Sequence, residues 1–237
     1  MLYLDHSFPD PAANLACDEA LLAACDTGGP EVLRVWEPRQ TFVALGYANH
    51  AATEARLDRC RQLGVPLLRR VTGGGTVVQM PGVLNYAVIL RADRPETAGI
   101  AATNRFVLDR LIAALRPLLP VAPHRAGDTD LCLGGRKCSG NAQRRRRRAL
   151  LFHGALLLDA DLAVIRDLLP FPSRAPDYRG GRAHEEFLVN LRLPPAAVKS
   201  ALRRVWRADA PLSELPEAAL QRLVATRYAR DDWNLRR

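Results

Sequence analysis

The sequence predicts a mixed α/β (α+β) fold, a largely antiparallel sheet with helices packed against it. Two observations predict it. β-like segments follow one another in runs and are interrupted by helices, instead of alternating strictly with them. The 237 residues, 48% hydrophobic and 25% charged, suffice for one large domain with a sizeable core, and no stretch reads as a linker.

In chain order, residues 11–25 read as a helix opened by Pro11. LRVWEP (33–38) and TFVALGY (41–47) are short β segments rich in branched and aromatic side chains. ATEARLDRCRQLG (52–64) reads as a helix closed by Gly64. Three β stretches follow at 65–71, 76–79 and 84–90, separated by the turn chemistry of TGGG (72–75) and MPG (80–82). Ile100, Val107, Leu108, Leu111, Ile112 and Leu115 have helical spacing within 97–116, and Pro117 stops that helix. DLCL (130–133), RKCSGNAQ (136–143) and ALLFHGALLLD (149–159) read as strands. Gly134-Gly135 forms the first turn between them and the run Arg144 to Arg148 the second. After Asp161 the chain is helical, then loop-like over 170–186, then helical near 194–206 and 213–228.

Composition narrows the function classes. No stretch approaches the roughly 18 uninterrupted apolar residues of a membrane helix, and the N-terminus lacks a basic leader before an apolar run. Five cysteines, at 17, 25, 60, 132 and 138, include no CxxC pair, so reduced thiols in a cytoplasmic protein are expected. The net charge of +9 calls for an acidic partner. Of 34 basic residues only Lys137 and Lys199 are lysine, which sets apart two places where a compact ammonium stands instead of a guanidinium.

Three segments carry chemistry. In RRVTGGGTVVQMPGVLNY (69–86), three glycines let the backbone approach a ligand and aim amides at an anion or a carbonyl oxygen. Arg69 and Arg70 stand beside them with forks suited to a phosphate. The same glycines also suit an ordinary hairpin turn, and no Gly-Lys-Ser/Thr follows to make a P-loop. In GDTDLCLGGRKCSGNAQ (127–143), Asp128 and Asp130 suit either a magnesium ion at a nucleotide phosphate or a turn. Lys137, flanked by Gly135 and Gly140, is either a solvated strand residue or a cleft ammonium that stabilises charge on an attacked carbonyl. In HGALLLD (153–159), His153 is either a satisfied core residue or a ligand-orienting one. The five-arginine run is a solvated turn or a docking patch. It lacks the interleaved aromatics of a nucleic-acid binder.

Together these segments resemble the lipoate–protein ligase branch of the biotin/lipoate protein ligase superfamily. NLACDEALL (14–22) resembles its opening helix, LRVWEPRQTFVALGYANH (33–50) its first hairpin, RRVTGGG its acyl-binding loop, GRKCSGNAQ its Lys-x-Ser-Gly strand and HGALLLDADL its His-Gly element. YARDDWN (228–234) resembles the end of the large domain. The resemblance implies the biotin/lipoate ligase catalytic-domain fold, with Lys137 as the essential lysine at the acyl carbonyl. It implies Arg70, Gly73, Gly74 and Gly75 against the lipoyl-adenylate, and Asn85 and His153 in the pocket wall. Asp130 would lie near the adenylate and Mg2+. Ser139, Gly140 and Gly154 belong to the same matching segments. Val78, Leu84 and Tyr86 would form an apolar acyl tunnel.

The implied reaction has two steps. ATP and lipoate or octanoate give an acyl-adenylate, and a lysine of an acidic lipoyl carrier then displaces AMP. That carrier would be a glycine-cleavage H-like protein or a dehydrogenase lipoyl domain. Neither nucleic acid nor membrane is expected as a partner. Three departures bear on this. Gln79 stands where many relatives have histidine, and Thr129-Asp130 replaces an Asn-Asp pair. The sequence also ends where two-domain ligases continue, which implies either that ATP-dependent activation is not autonomous or that a separate accessory subunit supplies the missing part. The main rival is a cysteine-dependent transferase drawing octanoate from an acyl carrier protein. VAPHRAGDTDL and the stretch after Asp159 lack the cysteine it requires, leaving Cys132 and Cys138, and strand alternation turns Cys138 away from the face of Lys137. A biotin ligase, a nucleic-acid-binding module and a non-catalytic carrier scaffold are the remaining alternatives.

Overall fold

The computed structural model describes residues 1–236. The first half of the chain forms β1 (Leu2–Asp5), α1 (Pro11–Asp26), β2 (Val32–Trp36), β3 (Phe42–Leu45), α2 (Ala51–Glu54), α3 (Leu57–Gln62), β4 (Leu67–Arg69), β5 (Val77–Gln79), β6 (Val83–Arg91) and α4 (Ile100–Leu115). The second half forms β7 (His124–Ala126), β8 (Asp130–Leu133), β9 (Arg136–Arg145), β10 (Ala149–Leu157), α5 (Leu162–Leu168), α6 (His184–Phe187), α7 (Pro195–Trp206), β11 (Ala210–Pro211), α8 (Glu217–Leu223) and α9 (Asp231–Asn234).

Eight strands build one sheet in the order β11-β1-β2-β6-β10-β9-β8-β7. Only β1 pairs in parallel, with β11 and β2. The remaining neighbours are antiparallel, as the mixed, largely antiparallel reading requires. β6 is buried on both faces from Val83 to Leu90, which explains why Asn85 alone interrupts an apolar run there. Leu84, Tyr86, Val88 and Leu90 meet α4 and α7, while Ala87 and Ile89 face α1. α1 starts sharply because Asp10 accepts the Ala12 amide and Pro11 occupies the first turn.

A second sheet has the order β4-β3-β5, with β3 parallel to β4 and antiparallel to β5. This corrects the hairpin expected over 33–50. β2 already has β1 and β6 as neighbours, so no edge is left for β3, which enters the small sheet instead. The triple-glycine segment is likewise no hairpin turn, because it crosses over β3 between β4 and β5. The helix expected over 52–64 is broken at Ala55, whose backbone is extended, and the Arg56 amide donates to the Leu168 carbonyl that ends α5. The arginine run is only partly a turn, since Arg144 and Arg145 lie within β9. Among the described residues, no helix is long and apolar enough to cross a membrane.

Candidate functional site

A cavity of about 430 Å³ lies between the glycine segment, the central strands β6, β9 and β10, and the 170–188 segment that closes over them. Of the residues singled out in the sequence, Lys137, Arg70, Gly74, Gly75, Val78, Asn85, Tyr86, Asp130, Ser139, Gly140, His153 and Gly154 all line it. Gly73 and Leu84 do not. Leu84 is fully buried in the core under α4 and α7, so it belongs to no acyl tunnel.

Lys137 reaches the cavity through a β-bulge. Leu131 pairs with Ser139 and Cys132 with Lys137, so Cys138 is an extra residue on β9. The Lys137 ammonium sits 2.9 Å from Asp130 Oδ1. A Cβ on Gly140 would fall 3.0 Å from both Cε and Nζ of Lys137, so glycine makes room for the ammonium. The other Asp130 oxygen accepts the Tyr178 hydroxyl at 2.7 Å, and burial first, then Asp130, pushes that phenol's pKa up.

Asp130 was expected near magnesium. Both its oxygens are already engaged by Lys137 and Tyr178, and no group of three His, Cys, Asp or Glu residues suited to a metal occurs among the described residues. Asp128, paired with Asp130 in that expectation, lines the same cavity and is exposed.

Arg70 differs from its expected role. It is buried, and four of its five N–H groups donate to Thr72 Oγ1 and to the carbonyls of Ala44, Gly73 and Gly75. Its fork holds the glycine segment in shape instead of facing a phosphate, and burial pushes its pKa down to about 10. Gly74 has φ +85, a left-handed conformation that favours glycine. Arg69 is fully buried and donates to the carbonyls of Gly46, Tyr47 and Asn49, and to those of Trp233 and Arg236 near the C-terminal end.

His153 belongs to a buried polar chain that crosses the cavity wall. Its Nδ1 lies 3.0 Å from Asp18 Oδ2 and its Nε2 2.7 Å from Thr72 Oγ1. Arg34, with no exposed surface, donates to Asp18 Oδ1 at 2.5 Å and to both oxygens of Asn14. Burial raises the Asp18 carboxyl, but Arg34 and His153 outweigh it and hold the pKa below the ordinary value. An ionised Asp18 assigns the ring proton to Nδ1, leaving Nε2 to accept from Thr72. Arg34, Asp18, His153, Thr72 and Arg70 thus connect α1, β2, β10 and the glycine segment. Arg34 is not recognisable from sequence, because a fully buried arginine in a strand has no local signature.

Asn141 is the other residue missed. Its Oδ1 accepts from Tyr86 (2.6 Å) and Ser139 (3.3 Å), and its Nδ2 donates to the Thr129 carbonyl at 2.6 Å. Gly154 leaves room for it: a Cβ there would lie 1.7 Å from Asn141 Oδ1 and 2.9 Å from Tyr86 Cε1. Gly154→Ala is therefore expected to cost about 2–3 kcal/mol by overpacking. Urea unfolding checks it, and an unchanged midpoint would contradict this packing. Gln79 and Asn85 exchange two amide hydrogen bonds, at 2.7 and 2.8 Å, which accounts for Gln79 without a histidine.

No cysteine lines the cavity. All five are buried thiols. Cys138 faces the core, its Sγ 3.3 Å from the Leu131 carbonyl, and burial pushes it up to about 12. The cavity thus offers an ammonium beside a glycine-lined wall, with apolar surface from Leu15, Trp36, Val78 and Leu157.

This constellation matches a known family. Residues 10–193 match the lipoyl protein ligase A/B catalytic domain. The chain belongs to that family. Octanoyltransferase LipM of Brevibacillus brevis is 27% identical, covering 96% of this chain and 95% of its own. One solved structure comes from the bipartite lipoate protein ligase and E2 lipoyl domain of Thermoplasma acidophilum. It superposes with a TM-score of 0.86 at 25% identity, over 99% of this chain and 95% of that one. A lipoate-protein ligase A bound with ATP superposes with a TM-score of 0.82 at 26% identity, over 99% and 98%. The fold and family expected from the motifs both hold, and the protein is an enzyme of the lipoate ligase and octanoyltransferase family.

Proposed function

We propose that this chain carries a lipoyl or octanoyl group, activated by ATP as the acyl-adenylate, to a lysine of a lipoyl domain. The observation that carries this reading is a cavity wall with an ammonium and no thiol. In the transfer step the carrier amine forms a bond to the acyl carbon, the bond from that carbon to the phosphate oxygen breaks, and AMP leaves. The Lys137 ammonium stabilises the carbonyl oxygen as charge builds on it. Arg70 and the Arg34–Asp18–His153–Thr72 chain keep the glycine segment rigid beside it, and Gly74 and Gly75 form the wall against the adenylate. Apolar side chains cover the acyl tail, at about 0.8 kcal/mol per buried methylene.

ATP use is supported by the ligase solved with that nucleotide, and a lipoyl-domain partner with a separate accessory subunit by the bipartite ligase. No step is assigned to magnesium, since Asp130 is held by Lys137 and Tyr178.

The LipM relatives favour a second reading, in which octanoate arrives on an acyl carrier protein and is held as a thioester. Its nucleophile would be one of five buried cysteines. Intact-mass analysis of the protein during turnover, paired with a variant in which Cys132 and Cys138 are replaced by serine, separates the readings. We expect no covalent acyl adduct, and transfer within about threefold of the original, since neither thiol lines the cavity. An octanoyl adduct that disappears in the variant would establish the thioester route instead.

A further inference from the structure

The β9–β10 hairpin extends past the cavity as a rigid, cationic ridge. Arg144, Arg146, Arg147 and Arg148 are exposed at its end. Among the described residues, Arg144, Arg145, Arg147 and Arg148 have no carboxylate within salt-bridge distance. Arg146 reaches only Glu19, at 3.6 Å, and Glu19 is already paired with Arg227. Five like charges with one weak neutralising contact repel each other, and a fold keeps such an arrangement at a stability cost unless an anion covers it.

The ridge is held firmly. The ladder continues to Leu150–Arg145, and the Arg146 amide donates to the Ala149 carbonyl across the turn. Asp26 of α1 accepts the amides of Arg148 and Ala149. Arg145 anchors the strand to the start of α4 through Thr103 Oγ1 and the Thr97 carbonyl. The ridge is also aimed. Ala142 lines the cavity, and Arg144 is the next residue on the same face of β9, about 7 Å further along. Arg144 lies over the Tyr47 ring, 5.4 Å from its centroid, and the Tyr47 amide bonds the Thr72 carbonyl at the start of the glycine segment.

We propose that this ridge docks the acidic face of the acyl-accepting protein and steers its lysine to the cavity mouth. The identity of the partner as acyl acceptor rests on the function proposed above, whereas the docking surface rests on the ridge itself. A preorganised row of guanidiniums suits carboxylates by bidentate pairing and speeds encounter with an acidic partner. Nucleic acid fits less well, since the run has no interleaved aromatics and the nearest ring, Tyr47, is already covered by Arg144.

The test measures binding apart from chemistry. A purified apo lipoyl domain of an E2 subunit is titrated against the full chain and against two variants. One combines Arg144→Glu, Arg147→Glu and Arg148→Glu, and the other places glutamine at the same positions. Pyrophosphate release from ATP and lipoate, without the domain and with an accessory subunit of the bipartite type present, is recorded in parallel. We expect the dissociation constant to rise about tenfold with glutamine and further with glutamate at low salt, the three proteins converging as salt screens the charges. Pyrophosphate release should stay within about twofold. Unchanged affinity in the variants, or no binding to the unaltered chain, would overturn the docking surface. So would loss of duplex DNA binding in the variants with lipoyl-domain affinity intact. Absence of pyrophosphate release, with ridge-dependent binding preserved, would overturn the adenylate reading and leave the docking surface standing.

Discussion

Lys137→Ala is expected to lower carrier acylation by about 10²–10³-fold, the effect of removing one preorganised charge-stabilising donor. The ammonium is held by Asp130 at 2.9 Å and given space by Gly140, and among the described residues no other lysine lines the cavity. The loss should fall on the transfer rate at saturating carrier, because the interaction strengthens only as charge forms on the carbonyl oxygen. Stability should change little, by about 1–2 kcal/mol, since the ion pair is partly exposed and Tyr178 still donates to Asp130. Lys137→Arg should also fail, because a planar, delocalised guanidinium does not present the compact point charge of an ammonium at that place. Single-turnover transfer and a thermal melt check both parts. Transfer within threefold of the original in a folded Lys137→Ala protein would show that the residue has no such role.

The largest loss of stability is expected from Arg34→Met. The substitution fits the volume but leaves Asp18 as a buried carboxylate with only His153 beside it, and removes donors to Asn14 and to the His6 carbonyl. Breaking a buried pair from one side costs about 3–5 kcal/mol, which for a chain of this size lowers the melting temperature on the order of 10 °C. Acid should expose the same defect. The folded state holds Asp18 below its unfolded value, so the group contributes stability above about pH 4 and loses it as pH falls through the folded value. Without Arg34 the carboxyl rises, and the acid transition moves to higher pH. A variant that melts within 2 °C of the original would show that the buried chain carries little of the fold.

What was legible in the sequence was local. Strands rich in branched residues, the helix opened by Pro11 and the glycine and lysine motifs all signal themselves within a few residues, and most of the site residues singled out meet at one cavity. What was not legible depends on distant pairing. β7 and β11 are three- and two-residue edge strands whose sequences, HRA and AP, have no β pattern and form only because a neighbour offers an edge. The separation of β2 from β3 follows from β6 claiming β2's free side. Arg70 looked like an anion ligand because its neighbours are glycines, yet the same glycines expose the carbonyls that bind it. The segment read as loop-like, 170–186, contributes Arg174 and Pro176 to the cavity, and Phe187 follows directly, through packing no short motif encodes.

The central claim is that acyl transfer here proceeds from an adenylate beside Lys137, without a covalent enzyme intermediate. The most direct measurement is the intact mass of an apo lipoyl domain after incubation with this chain, ATP, lipoate and magnesium, alone and with an accessory subunit of the bipartite type. The account predicts a gain of one lipoyl group on the domain that requires ATP and vanishes with Lys137→Ala. No gain under either condition, together with octanoyl transfer from an acyl carrier protein in the absence of ATP, would contradict it.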